Sequence, residues 1–359
     1  MTTRLRYFVV AALLTSGGLV VSGQTPARSP AASAAALHVL PIRGNVFLLV
    51  GAGANVTVSV GPDGVLLVDA GDAAMADQVI ATVAQLSRAV TASPGPVRPC
   101  PGVGAGVGCA GVTYPALLGT IASPAPPKPI QFIVNTNADP DHAGGNAKVA
   151  QAGTTFGGGP GLGAFAFVKE SAMVYAHENV LARLTAAKVP TAGLPTESYP
   201  TDMKQYFNGE GVQILHRPSA HSDGDSIVHF RGSDVISTGD ILSTVSYPVF
   251  DVAQGGSING IIDSLNALLD LVIAEYQTEG GTLLIPGHGR VCDAADLATY
   301  RDGMTIIRDR VQDMIKRGLT LAQVKAARPT KDYDPRYDVP TWTKDQFVEA
   351  VYRSLSQKK

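Results

Sequence analysis

The chain has 359 residues, 45% of them hydrophobic and 16% charged, with 28 Lys plus Arg against 30 Asp plus Glu for a formal net charge of −2. So low a charged fraction excludes an intrinsically disordered chain, which is charge-rich and apolar-poor. The missing basic surplus excludes a nucleic-acid binder, which has to neutralise phosphates.

Taken in chain order, Met1–Arg6 is a short basic stretch, Tyr7–Val20 is apolar, and Val21-Ser22-Gly23 places small residues before Gln24. That layout is a secretory signal peptide over 1–23, whose removal sends a mature chain to the periplasm or outside the cell. The apolar run is too short to span a bilayer, so no membrane association is expected after cleavage. Residues 24–37 read as a flexible Ala/Ser/Pro leader, with order beginning near His38. Asn45–Val50, Asn55–Val60 and Gly64–Asp69 read as strands, with Gly61-Pro62-Asp63-Gly64 as a turn between the last two. Asp72 is placed to cap a helix with Met75, Val79, Ile80, Val83 and Leu86 at helical spacing.

Residues 91–129 are dense in Pro and Gly and read as an insertion loop. Within it, Cys100 and Cys109 are expected as disulfide partners in an oxidising compartment. The alternative, a metal pair, would need further thiolates or histidines, and the loop has no His. The remaining Cys292 reads as a small core residue. Ile130–Val134 is a buried strand, 151–165 a Gly-rich loop, and Ser171–Ala187 a strand leading into a helix. Gly211–Leu215 is a strand, Ser226–Phe230 and Asp234–Ser237 form a hairpin, Ile258–Ala274 is a helix and Gly281–Ile285 the last core strand. From Ala294 the periodicity is helical, with a loop around Pro329–Pro340. Residues 55–72 and 225–240 both read strand, Gly turn, strand, acidic end. The echo suggests a pseudo-symmetric sandwich with sheets inside and helices outside. One domain over 38–294 with a helical extension over 295–359 follows.

Four polar motifs stand at the ends of apolar strands. The first is the run from Asn135 to Asn146, with Asn137, Asp139, Asp141 and His142. The others are Ala220–Asp225 with His221, Ser237–Asp240, and Ile285–Gly289 with His288. Carboxylates and imidazoles are metal ligands, and alternating positions on an extended loop point the same way. His177, His216 and His229 read as structural, His38 lies outside every motif, and Tyr247 with the glycines up to 257 reads as a loop.

On these motifs, together with "GVLLVDAG" (64–71), the chain resembles the metallo-β-lactamase superfamily in its glyoxalase II-like branch, from about residue 38 to 355 outside the insertion. The resemblance implies an α+β, four-layer αββα sandwich with a metal site at one edge of the sheets. It implies one site of Asn137, Asp139 and His221, a second of Asp141, His142 and His288, and Asp240 as a bridging carboxylate. The family's loop reads His-x-His-x-Asp-His; here Asn137 and Asp139 stand where the first two histidines would be. The implied cofactor is one or two divalent ions, zinc by family, with iron or manganese favoured by the carboxylate-rich set. Asp69 resembles a position that supports the metal loop, against a plain helix-entry turn. Asp225 either braces His221 or serves as a turn residue.

The function implied is an exported metal-dependent hydrolase acting on a small-molecule ester, thioester, lactone or amide, with Asp141 orienting and deprotonating water. The runner-up is a catalytically altered or non-catalytic binding member. A diiron redox protein is disfavoured by the lack of a flavin-domain signature after residue 300, and β-lactamase activity by Asp240.

Overall fold

The computed structural model describes residues 37–92, 127–157, 167–169, 171–272 and 280–357. The expected signal peptide, the leader up to residue 36, most of the 91–129 insertion with Cys100 and Cys109, and much of the 151–165 loop lie outside the described residues.

In chain order the strands are β1 (His38–Arg43), β2 (Val46–Ala52), β3 (Ala54–Gly61), β4 (Gly64–Val68), β5 (Ile130–Val134), β6 (Thr155–Gly157), β7 (Phe167–Lys169) and β8 (Met173–His177). They continue as β9 (Glu197–Tyr199), β10 (Met203–Phe207), β11 (Glu210–His216), β12 (Ser226–Phe230), β13 (Val235–Ser243) and β14 (Leu283–His288). The helices are α1 (Ala76–Ala92), α2 (Pro140–Ala143), α3 (Asn146–Gln151), α4 (Glu178–Ala186), α5 (Ile258–Val272), α6 (Ala294–Lys316), α7 (Leu321–Ala327), α8 (Asp334–Tyr337) and α9 (Lys344–Ser356).

One sheet has the order β1-β2-β3-β4-β5-β8-β9, a second β10-β11-β12-β13-β14, and β6-β7 pair separately. β1 to β4 run antiparallel, and β4, β5, β8 and β9 parallel. In the second sheet β10 to β13 are antiparallel and β14 joins β13 in parallel.

Leu48, Leu66, Val68, Val134, Ile214, Phe230 and Ile285 pack between the two sheets. The outer face of the first sheet buries Val56, Val58 and Val60 against Val79 and Val83 of α1. The outer face of the second buries Ile227 and Ile236 against α5, α6 and α9. The order is therefore helix, sheet, sheet, helix, the expected four layers. No helix among the described residues is long and apolar enough to cross a membrane.

The structure departs from the sequence reading at informative places. β3 alternates apolar and polar residues, yet all of it is buried. Its polar face does not meet water: Asn55 and Ser59 reach groups of the second sheet and its turns. Asp72 precedes a 3₁₀ turn (Ala73–Met75) but makes no side-chain cap; its N–H instead donates to Ala52 O at 2.7 Å, tying the turn to the end of β2. β13 continues past the expected Ser237 to Ser243, and its pairing with β14 is irregular on both sides of Gly239. Such irregularities re-aim side chains next to functional sites. Cys292 is buried, as expected, and burial pushes its thiol up to about 12.

The C-terminal helices share the core of the second sheet rather than standing apart from it. Leu297, Tyr300, Met304, Ile307 and Phe347 belong to the same cluster as Ile236 and Leu265. Tyr247 stacks on Phe347 with centroids 4.5 Å apart, and its hydroxyl donates to Asp334 Oδ1 at 3.1 Å. Phe347→Ala is expected to destabilise the fold by about 3–5 kcal/mol through the cavity it leaves, read by urea denaturation. An unchanged midpoint would mean that α9 is dispensable to this core.

Candidate metal centre

Every strand-end motif arrives at one edge of the sandwich. Asn135 to Asp139 leave β5; Pro140, at the first helical position with its preset φ, then opens α2. The expectation of an extended loop is corrected here. Because α2 is one helical turn, Asp141 and His142 turn to one side of the site while Asp139, just before it, faces the other. His221 lies in the turns between β11 and β12, Asp240 on β13 beside the irregularity, and His288 ends β14.

The result is two groups of donors. Ligand atoms of Asp141, His142 and His288 lie within 4.8 Å of one another, and so do those of Asp139, His221 and Asp240. Asp240 joins the groups: its Oδ2 is 3.0 Å from His142 Nε2 and its Oδ1 3.4 Å from His288 Nε2. His288 Nε2 is 3.2 Å from Asp141 Oδ2, and His221 Nε2 is 3.5 Å from Asp139 Oδ2.

Asn137 is brought to the same place, with both ends of its amide hydrogen-bonded. Its Nδ2 donates to Asp240 Oδ2 at 3.0 Å, and its Oδ1 accepts the Asp139 N–H at 2.9 Å. It thus bonds one carboxylate of the cluster, that of Asp240, and the backbone of the residue that carries another.

Behind the donors stand buried acceptors. Asp69, the residue after β4, has φ +67, a left-handed backbone uncommon outside glycine. That turn aims its carboxylate back under the β5 loop. There it accepts the Thr136 N–H and hydroxyl, each at 2.8 Å, and meets His142 Nδ1 at 2.8 Å. Asp225 takes the Ser222 N–H and faces His221 Nδ1 at 3.2 Å. Each of these two imidazoles thus has one nitrogen engaged behind and one turned to the cluster. Gly239, next to Asp240, has φ +53, and a Cβ there would sit 2.8 Å from Thr136 Cβ; only glycine lets β13 approach the loop so closely.

Electrostatics follow from this crowding. Burial works against charge on His142, yet Asp240 and Asp69 hold its pKa well above the usual imidazole value. His221 is likewise opposed by burial but raised to about 9, chiefly by Asp225. Burial would raise Asp240, but the His142, His221 and His288 charges carry it well below the carboxylate range. Asp139 is pushed up by burial, Asp141 is lowered by its hydrogen bond from His288, and His288 is raised by the same bond. The field that raises the pKa of three imidazoles is one that favours cations among them.

The donor set fits metal on a further count. His142 Nε2 and Asp240 Oδ1 are fully buried without a hydrogen bond, each meeting only an ion-pair partner, Asp240 Oδ2 and His288 Nε2 respectively. Buried polar atoms are seldom left so. A cavity of about 210 Å³ opens on the cluster, lined by Asp139, Asp141, His221, Asp240 and His288 and walled by Ser243, Ser246 and Val249.

The family model for the metallo-beta-lactamase superfamily matches residues 49–288, more than half of the chain and every residue of the cluster. The chain belongs to that superfamily. Among curated proteins none matches the sequence. Solved structures of the superfamily's fold resemble it at low identity. A metallo-beta-lactamase from Pontibacter korlensis has a TM-score of 0.48 at 12% identity, covering 75% of this chain and 99% of that one. A double mutant of the sec-alkyl sulfatase PisA1 has a TM-score of 0.52 at 15% identity, covering 88% of this chain; the chain spans 50% of the sulfatase's length. The DIM-1 metallo-beta-lactamase has a TM-score of 0.46 at 14% identity, covering 74% and 95%.

Three groups around the superfamily site escape a reading of motifs. Asn55 of β3 donates through Nδ2 to Pro286 O at 2.8 Å and Gly289 O at 2.9 Å, clamping the backbone on both sides of His288. A lone Asn at the head of an apolar strand is the signal that could have found it. Thr136 was hidden inside the β5 motif. Ser243, Ser246 and Val249 carry no signal, because their place depends on how β13 and its following loop fold. Tyr247 faces away, into the C-terminal core. His177 stacks on His216 with centroids 3.7 Å apart and caps α4 through the Asn179 N–H. Asp69→Ala would strand the Thr136 N–H and His142 Nδ1 in the interior and is expected to cost about 3–5 kcal/mol in chemical denaturation. A loss under 1 kcal/mol would show that water reaches these groups.

Proposed function

We propose that the chain is an exported metal-dependent hydrolase that cleaves a small-molecule ester, thioester, lactone or amide. The observation that carries the reading is the pair of donor groups joined by Asp240, with two buried ligand atoms lacking hydrogen bonds at their junction. Asp141, His142 and His288 would hold one ion and Asp139, His221 and Asp240 the other, with Asn137 beside the second group, bonded to the Asp240 carboxylate and the Asp139 backbone. Zinc is the superfamily's usual ion, and the three carboxylates make iron or manganese chemically suitable. When bound, such an ion acidifies water and polarises the substrate's carbonyl oxygen.

The protein's own part is positional and basic. Asp141 lines the cavity with a carboxylate kept ionised by its bond from His288, so it can orient a water and accept its proton. Asp69 and Asp225 fix the tautomers and ring planes of His142 and His221. Asn55 holds the turn that carries His288. The basic and apolar layout of 1–23 supports export.

Two measurements test this. Chelator-treated protein should lose hydrolysis of p-nitrophenyl acetate and recover it with zinc, manganese or iron; failure of all three ions to produce turnover would overturn the reading. Asp141→Asn should lower kcat by about 100-fold or more, and Asp69→Asn should weaken metal binding by about 10–100-fold, followed by metal titration. Unaltered metal affinity in Asp69→Asn would remove Asp69 from its role behind His142.

A further inference from the structure

His288 belongs to two openings at once. On one side it faces the polar cavity described above. On the other it borders a groove of about 680 Å³, walled by Leu40 of β1, Leu48 and Val50 of β2, and Val291. Part of the floor is bare backbone, at Gly53 and Gly287 among others. Gly53 has φ +105, and a Cβ there would come within 2.6 Å of Asp72 Oδ2 and 3.0 Å of Asp141 Cβ, so this floor backs directly on the donor cluster.

Charge sharpens the picture. Among the described residues lining the groove, the guanidinium is that of Arg290, already bound in a bidentate pair with Asp296 at 2.6 and 2.8 Å, and the imidazole is that of His288, paired with Asp141 and Asp240. The ionisable groups of the polar cavity are carboxylates and imidazoles. Leu40 at the groove and Val249 at the cavity are large apolar side chains left exposed. A substrate arm bearing a carboxylate, sulfate or phosphate would find in the groove no cation without a carboxylate partner already, and would lose its hydration to apolar walls. An uncharged apolar arm would gain by burial.

We infer that the substrate is a neutral ester, lactone or amide with an apolar acyl arm. The arm lies between Leu40, Leu48, Val50 and Val291, while the scissile carbonyl reaches past His288 into the cluster. The inference rests on the hydrolase reading and adds to it the substrate class.

The test is a series of p-nitrophenyl esters from acetyl to octanoyl, with the metal-loaded chain. Each methylene seated in the groove should raise kcat/KM by up to about fourfold. The monoester of suberic acid, as long as the octanoyl ester but ending in a carboxylate, should fall at least about tenfold below it. Leu40→Asp, on an exposed edge strand, should flatten the series by selectively lowering the long-chain rates. Equal kcat/KM for acetyl and octanoyl esters, or for octanoyl and suberyl esters, would overturn the inference. Should no ester be cleaved with any ion, the hydrolase reading fails and the groove is judged by binding. Nile red, a neutral apolar dye, should bind metal-free protein with blue-shifted emission, and Leu40→Asp should weaken that binding at least about tenfold. Equal dye binding by both proteins would overturn the groove.

Discussion

The centre of the structure is a carboxylate out of water. Asp240 sits at the edge of the sandwich with its side chain only 12% exposed, and a carboxylate so nearly buried is tolerable only where opposite charge and hydrogen bonds replace its hydration. His142, His288 and Asn137 supply these directly, and each arrives on a different element. The irregular pairing of β13 around Gly239 and the close approach of Thr136 to that glycine are the local adjustments that place the carboxylate. A regular strand would turn Asp240 to a different face, and the two donor groups would lose the carboxylate that links them.

Around that centre the donors are held from behind. His142 rests on Asp69, His221 on Asp225, and the His288 turn on Asn55. The supports come from β3, the end of β4 and the turn before β12, so both sheets contribute. This gives the double-sheet architecture a direct chemical consequence: bringing the sheets together assembles the cluster. The left-handed backbone at Asp69 is the conformational cost of aiming its carboxylate under the β5 loop.

The apolar groove and the C-terminal helices extend the same logic outward. The loop after β13 supplies Ser246 and Val249 to the cavity wall, while Tyr247 between them anchors in the core with Phe347 and Asp334. Tyr300 reaches Ser246 O and Trp342 reaches Pro248 O, so α6 and the segment before α9 also hold this loop. The superfamily match ends at His288, yet residues beyond it fix one wall of the cavity. The shape of that wall is therefore set partly by segments that carry no motif.

Local pattern alone determined much of this protein. Short apolar runs gave most of the core strands, though not β1 or β10, helical spacing gave α1, and the paired hairpins pointed to a layered sandwich. The donor types were legible too, since short polar motifs at strand ends stand out against apolar runs. Only the tertiary structure decided how those donors are shared. Asn137 turns its amide to Asp240 and the Asp139 N–H, and α2 splits neighbouring carboxylates between two groups. Asn55 reaches a turn 231 residues away at Pro286. The reason is physical: a strand's period follows from its own side chains, whereas the partner of a buried amide or carboxylate is set by what the facing sheet brings within about 3 Å.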